Sequence, residues 1–253
     1  MKSNTDVYWN NRAKSVKNDS VVNISDLFQR NLECEQIVKY LKIDMNVLEV
    51  GCGNGYSTSL FRNLVRTISA FDYSENMITN AKSSFGETNN TFFVDNILDP
   101  KNIDYNYDLV LCVRVLINLR NLEEQKQALE NITSFLKPKG LLVLVEGFSE
   151  GFENLNKLRC KLALSPIIPA KVNVYSSLRN VMPILDEHFN VENRFDLGSY
   201  DFFTRIIYPL IVGDKNVKFN SVFSEKCGEL SKECTEECYS KFSRIKGFIL
   251  RKK

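Results

Sequence analysis

The sequence predicts an α/β domain built on a largely parallel sheet with helices on both faces. Two observations predict it. Short apolar runs alternate with amphipathic stretches from Val47 to Val145, and strands alternating with helices require crossovers that place helices on both sides of a sheet. The first apolar run ends in a glycine cluster, Gly51-Cys-Gly-Asn-Gly55, as a buried strand does when it turns sharply into a helix.

The elements follow in order. Met1–Ser25 is polar and partly helical, with Tyr8, Trp9, Arg12 and Ala13 as its notable residues. Leu27, Phe28, Ile37, Val38 and Leu41 give Asp26–Leu41 the apolar stripe of a helix lying on a sheet. Val47–Val50 is a strand and Tyr56–Val65 a helix. Strand Thr67–Phe71 and helix Ser74–Phe85 come next. Thr91–Val94 and Asp108–Val113 are strands, Leu122–Leu136 is an amphipathic helix, and Gly140–Val145 is a strand. Beyond Gly147 the rhythm weakens. Helices are expected over Phe152–Leu164 and Ser176–Phe189, a loop over Ser165–Lys171, and strands over Asn190–Phe195 and Arg244–Leu250. Between the last two lie the apolar stretch Phe202–Val212 and a charged, cysteine-containing segment.

Composition narrows the function classes. The chain has 253 residues, 43% hydrophobic and 25% charged, as expected of one globular domain. A formal net charge of +2 gives no field that would favour nucleic acid or an anionic membrane. The polar start lacks the apolar core of a signal peptide, and no run is long enough to span a membrane. A cytoplasmic protein is therefore expected, its seven cysteines reduced thiols. One histidine, His188, leaves no basis for a histidine-rich metal site, and the spacing of Cys227, Cys234 and Cys238 fits no common zinc or iron–sulfur pattern. No metal is expected.

Three strand ends carry ligand-binding chemistry. Glycines after a buried strand let the backbone approach a ligand, and the next helix presents its N-terminal amides there. Asp72 ends the next strand about 20 residues on, where dinucleotide folds place a carboxylate for ribose hydroxyls. The third strand ends at Val94-Asp95-Asn96-Ile97, a polar pair suited to an adenine edge.

These residues carry a resemblance. Val47-Leu-Glu-Val-Gly-Cys-Gly-Asn-Gly55 resembles motif I of class I S-adenosylmethionine-dependent methyltransferases, and Asp72 and Asp95 match that family's ribose and adenine acids. Tyr107–Val113 resembles its fourth motif. Leu136-Lys-Pro-Lys-Gly140 is similar to its turn before strand five, with Lys139 in place of the usual first glycine. The tight Gly-x-Gly-x-Gly spacing followed by Tyr56 disfavours a nicotinamide-type loop. The resemblance implies a Rossmann-like three-layer fold with a seven-stranded sheet, its last strand, Arg244–Leu250, antiparallel and slotted between the fifth and the sixth, Asn190–Phe195. It implies S-adenosylmethionine as cofactor, bound by Glu49, Gly51, Cys52, Gly53, Gly55, Asp72, Tyr73, Asp95, Asn96, Ile97 and Val113. It divides the single domain into an N-terminal helical segment (1–41), a cofactor core (42–147) and substrate-cap insertions (148–189 and 198–243).

Arg114–Leu119, Glu146-Gly147, Leu155–Arg159, Asn173–Tyr175 and Thr204–Pro209 resemble a bacterial subgroup associated with polysaccharide and glycan biosynthesis. That implies a sugar, a nucleotide-sugar or a sugar substituent as acceptor. Candidate acceptor residues are Arg114, Asn118, Glu146, Asn173, Tyr175 and Arg205, with Arg114 and Glu146 as catalytic candidates; Arg159 and Tyr208 are further lid candidates. A guanidinium at a strand end suits a carboxylate or phosphate, or pairs with a structural carboxylate. Glu146 either deprotonates an acceptor hydroxyl or caps a neighbouring element. For Tyr8 and Trp9, packing onto the core is favoured over a flap above the cofactor. The alternatives are a nucleic-acid or protein methyltransferase, disfavoured by charge and by Arg114-Val-Leu-Ile after strand four, and a non-catalytic cofactor-binding subunit.

Overall fold

The computed structural model describes residues 4–15, 24–86, 89–234 and 237–253. Its sheet has seven strands: β1 (Asn46–Val50), β2 (Thr67–Asp72), β3 (Asn90–Val94), β4 (Tyr107–Val113), β5 (Leu136–Gly147), β6 (Phe189–Asp196) and β7 (Ile245–Lys252). Their order is β3-β2-β1-β4-β5-β7-β6. β1 pairs in parallel with β2 and β4, β2 with β3, and β4 with β5. β7 runs antiparallel between β5 and β6, as expected. The strand order reverses between β1 and β4, so a crevice opens at their C-terminal ends, where α/β sheets bind ligands.

The central strands are apolar on both faces. Leu109, Val110, Leu111 and Cys112 of β4 are wholly buried. Alternation sends their side chains into two layers. Leu48, Val110, Leu142 and Leu144 pack with Ala128, Leu129 and Ile132 of α5 (Leu122–Phe135) and with Val181 and Leu185 of α7 (Leu178–His188). Val47, Leu109, Leu111 and Val143 pack on the other face with Leu32 and Ile37 of α2 (Leu27–Val38) and Phe61 of α3 (Tyr56–Phe61). Side-chain caps start α2, the helix after β2 and α5: Asp26 accepts from Gln29 N–H, Ser74 from Met77 N–H and Asn121 from Glu124 N–H.

The region after Gly147 is less of a separate cap than expected. α7 is a sheet-covering helix, and Tyr200 and Cys227 join the second core layer. The stretch Phe202–Val212 lies in a helical run from Gly198 to Val212, interrupted by a π-helical turn at Phe203–Ile207. The Ser165–Lys171 loop has no helix or strand through Tyr175. Cys227 is buried and Cys238 exposed; among the described residues no cluster of His, Cys, Asp or Glu could hold a metal ion, and no helix is long and apolar enough to cross a membrane. Lys139 takes φ +63°, the left-handed conformation that the glycine it replaces adopts without strain.

Helix α6 (Ser149–Lys161) sits so close to the strand-entry turn that a Cβ on Gly151 would lie 1.6 Å from Ser243 O. On Gly228, in the helix Val222–Glu233, it would lie 4.0 Å from its nearest neighbours. Urea unfolding should therefore show Gly151→Ala destabilised by about 1–3 kcal/mol and Gly228→Ala stabilised by about 0.5–1 kcal/mol. Equal effects would contradict this packing.

Candidate active site

Three positive-φ glycines bend the chain out of β1: Gly51 (+68°), Gly53 (+55°) and Gly55 (+78°). Their purposes differ. A Cβ on Gly51 would lie 2.6 Å from Val115 Cγ2, so the loop and the end of β4 touch only because that atom is missing. A Cβ on Gly55 would strike Phe92 at 2.8 Å and Ala81 at 3.0 Å. Gly55 is absent from the cavity wall; the expectation that it touches the cofactor is corrected, because its bare backbone serves the packing of β3 and of α4 (Glu75–Phe85).

Asp72 closes the loop from β2. Its Oδ2 accepts from Gly53 N–H at 3.0 Å and its Oδ1 from Ser74 N–H at 2.9 Å. Each carboxylate oxygen has a second lone pair, so this buried group holds the loop and keeps acceptor capacity for a ligand's hydroxyls. Burial pushes its carboxyl up to about 6, against the pull of those two amides. Glu49, on β1, accepts from the Thr58 hydroxyl at 2.6 Å. Burial raises it to about 7 and that hydrogen bond works the other way. Asp95 is buried, and its two oxygens accept from the amides of Asn96, Lys101 and Asn102 at 2.7–3.1 Å. It shapes the loop that presents Asn96 and Ile97.

One cavity of 590 Å³ lies along these strand ends. Glu49, Gly51, Cys52, Gly53, Asp72, Tyr73, Asp95, Asn96, Ile97 and Val113 line one part of it; Arg114, Asn118, Asn173, Tyr175 and Arg205 line the rest. The sequence thus brings nearly all its candidates to one wall. Tyr175 is set by Phe152, its ring 5.2 Å away, and by Gly147, where a Cβ would lie 2.6 Å from its Cε1.

Glu146 is corrected. It is 1% exposed and lies outside this cavity, in a small void beside Leu116 and Ser176. Its Oε1 accepts from Leu116 N–H at 2.7 Å and its Oε2 from Ile117 N–H at 3.4 Å. It caps the 3-10 turn Leu116–Asn118. Burial lifts it to about 8 despite those amides. Arg159 and Tyr208 also leave the site: Arg159 bonds Ser165 O, Arg205 O and Asp214, and Tyr208 stacks on Phe223. His188 ends α7 and lines no part of the cavity.

The N-terminal helix α1 (Asn4–Ser15) comes closer than expected. Tyr8 and Trp9 both line the cavity. Trp9 Nε1–H donates to Asn118 Oδ1 at 3.1 Å, and Tyr73 O–H donates to Thr5 O at 3.1 Å. Trp9 also packs against Ala13 and Met77, so the favoured packing holds while both rings line the cavity; residues 1–3 and 16–23 of the partly helical segment expected over Met1–Ser25 lie outside the described residues.

Sequence reasoning missed the polar face of α2. Asp26, Gln29, Arg30 and Glu33 are all 4% exposed or less. Val38, counted among the buried residues, is 40% exposed. Asp26 accepts from Tyr200 O–H at 2.7 Å and Arg205 Nη2–H at 2.6 Å. Gln29 bonds Glu33 and Arg244, and Arg244 holds Asp201 at 2.6 Å. Arg30 lies 4.9 Å from the centroid of the Tyr56 ring. Spacing of i, i+3, i+4 and i+7 marks one helix face, which was the available signal.

The fold is a Rossmann-like α/β domain with its cavity at the strand ends, and residues 47–140 match the family model for a methyltransferase domain. The chain is 27% identical over 149 residues to malonyl-acyl-carrier-protein O-methyltransferase 2 of Ilyobacter polytropus, covering 58% of this chain and 55% of that protein. It is 30% identical over 114 residues to the malonyl-acyl-carrier-protein O-methyltransferase of Bacillus anthracis, covering 44% and 41%. The chain thus spans about half the length of the curated relatives it matches. In fold it is similar to the N-methyltransferase NodS from Bradyrhizobium japonicum WM9, solved with S-adenosyl-L-homocysteine, at a TM-score of 0.60, 14% identity and 99% coverage of both chains.

The raised carboxyls fix a pH dependence. Free Asp and Glu titrate at about 4, so between about pH 4 and 8 the folded ligand-free protein binds more protons at Asp72, Glu49 and Glu146 than the unfolded chain. Stability then falls as pH rises through that window. The urea midpoint should be higher at about pH 5.5 than at about pH 8.5, and Glu146→Gln should narrow the gap. A midpoint that rises with pH would contradict these environments.

Proposed function

We propose that this chain transfers a methyl group from S-adenosylmethionine to a small-molecule acceptor, a sugar, nucleotide-sugar or sugar substituent, by in-line displacement. The observation that carries the reading is the Asp72–Gly53 clasp, opening on a cavity whose far wall is polar. When bound, the sulfonium supplies an electrophilic methyl and leaves as a neutral thioether.

The residues present fit that ligand. Asp72 keeps lone pairs for ribose hydroxyls, Gly51 and Gly53 bring bare backbone to the cavity wall, and Asn96 and Ile97 offer a polar and an apolar surface for adenine. The chain's own work is alignment and exclusion of water: Tyr8 and Trp9 cover the cavity, and Asn118, tied to Trp9 and to Arg114 O, positions the strand end beneath them. Asn118, Asn173 and Gln29 on the wall support a polar acceptor. The malonyl-acyl-carrier-protein methyltransferases among the relatives support a small acceptor group. The likeness of Arg114–Leu119 and Asn173–Tyr175 to the glycan-associated subgroup supports a sugar-linked one.

Calorimetric titration with S-adenosylhomocysteine tests the reading. Wild type should bind, and Asp72→Ala should bind about 10–100-fold more weakly, the worth of hydrogen bonds to a charged group. Absence of binding by wild type would sink the proposal. Transfer of label from methyl-tritiated S-adenosylmethionine to a panel of nucleotide-sugars tests the acceptor. Glu146→Gln should leave cofactor affinity unchanged, since its carboxyl faces Leu116 and Ile117.

A further inference from the structure

Five guanidinium groups line the cavity: Arg30, Arg114, Arg120, Arg205 and Arg244. Arg244 is engaged by Asp201 at 2.6 Å and Gln29 at 3.0 Å, and Arg205 by Asp26 at 2.6 Å. Arg114 differs. Its Nη2 lies 3.4 Å from Glu33 Oε2, and its Nε is buried with no hydrogen-bond partner. A buried donor left without a partner is costly, and a guanidinium's five donors form a fork shaped for a carboxylate.

The backbone of Arg114 is also held at φ +54°, a conformation that non-glycine residues adopt at a cost. Arg114 N–H donates to Val145 O at 2.7 Å, and Asn118 Nδ2 donates to Arg114 O at 2.8 Å. The strain is thus imposed where β4 meets the cofactor loop, next to Val115, the residue against Gly51. Arg30 is close enough for the two charges to oppose each other: burial, then the charge of Arg114, lowers Arg30 to about 10.

The carboxylates of the acceptor wall are already engaged. Asp26 holds Arg205, Glu124 holds Arg120, and Glu146 and His188 lie off the cavity. A carboxylate acceptor needs no base.

Resting on the methyl-transfer reading above, we propose that the accepting group is a carboxylate held by the Arg114 guanidinium, and that the product is a methyl ester. One carboxylate oxygen forms the O–CH3 bond with its own lone pair as the S–CH3 bond breaks and its electrons return to sulfur. Carboxylate and sulfonium charges cancel, and no proton is released.

The test is titration of protein saturated with S-adenosylhomocysteine, using malonate and its neutral analogue malonamide as probes. Wild type should bind malonate at least about ten-fold more tightly, as a charge-assisted pair gives. Arg114→Met should erase that preference with S-adenosylhomocysteine affinity kept within about two-fold, and Arg114→Lys, which keeps the charge and loses the fork, should lose most of it. Equal binding or non-binding of the two probes would overturn the proposal, as would a preference that survives in Arg114→Met. So would a fall in S-adenosylhomocysteine affinity with the preference intact, which would give Arg114 to the cofactor's own carboxylate. Failure of wild type to bind S-adenosylhomocysteine would instead remove the methyl-transfer reading itself.

Discussion

The Asp72 carboxylate accepts from Gly53 N–H with one oxygen and Ser74 N–H with the other. That pair of bonds ties the loop leaving β1 to the start of α4, and so fixes two neighbouring strand ends relative to each other. Gly51 then meets Val115 at the end of β4, where only a glycine permits the contact. The third strand end follows, because the Asp95 carboxylate gathers the amides of its own loop. A single edge of the sheet becomes a shaped wall through hydrogen bonds to buried carboxylates. Each is costly to desolvate, and burial holds Asp72 and Glu49 above their usual range. The site is built from groups whose burial opposes their charge.

The second wall is made differently. The α2 face of Asp26, Gln29, Arg30 and Glu33 is buried under chain segments far away in sequence: Tyr200, Arg205 and Arg244 bond to it across 174, 179 and 215 residues. Such a network is stable only when every member has a partner. Here the partners are nearly complete, and the buried Nε of Arg114, a residue that lines the cavity, is an exception.

This contrast explains what could be read from the residues alone. The β1 loop, Asp72 and the strand ends are local: glycine spacing, apolar runs and one carboxylate per strand end carry their own geometry. The antiparallel β7 between β5 and β6 was legible through the family likeness, not through periodicity. The α2 face was not legible, since a polar stripe at helical spacing looks the same whether solvent or a distant arginine satisfies it. Glu146 sits at the right strand end for a catalytic group, but alternation along β5 turns its side chain toward the amides of Leu116 and Ile117, on the side away from the cavity. Gly55 belongs to the glycine pattern, yet Phe92, 37 residues further on by chain number, uses its space. Position was read correctly in both cases; the direction of the side chain depended on tertiary neighbours.

The edge built by Asp72, the glycine loop and the Asp95 loop is the S-adenosylmethionine site we propose. Amide hydrogen exchange with and without S-adenosylhomocysteine tests it most directly. Protection should be concentrated at residues 51–57, 72–77 and 95–102, with the α5 and α7 side of the sheet unchanged. Protection confined to the face covered by α5 and α7, or none in the glycine loop, would contradict it.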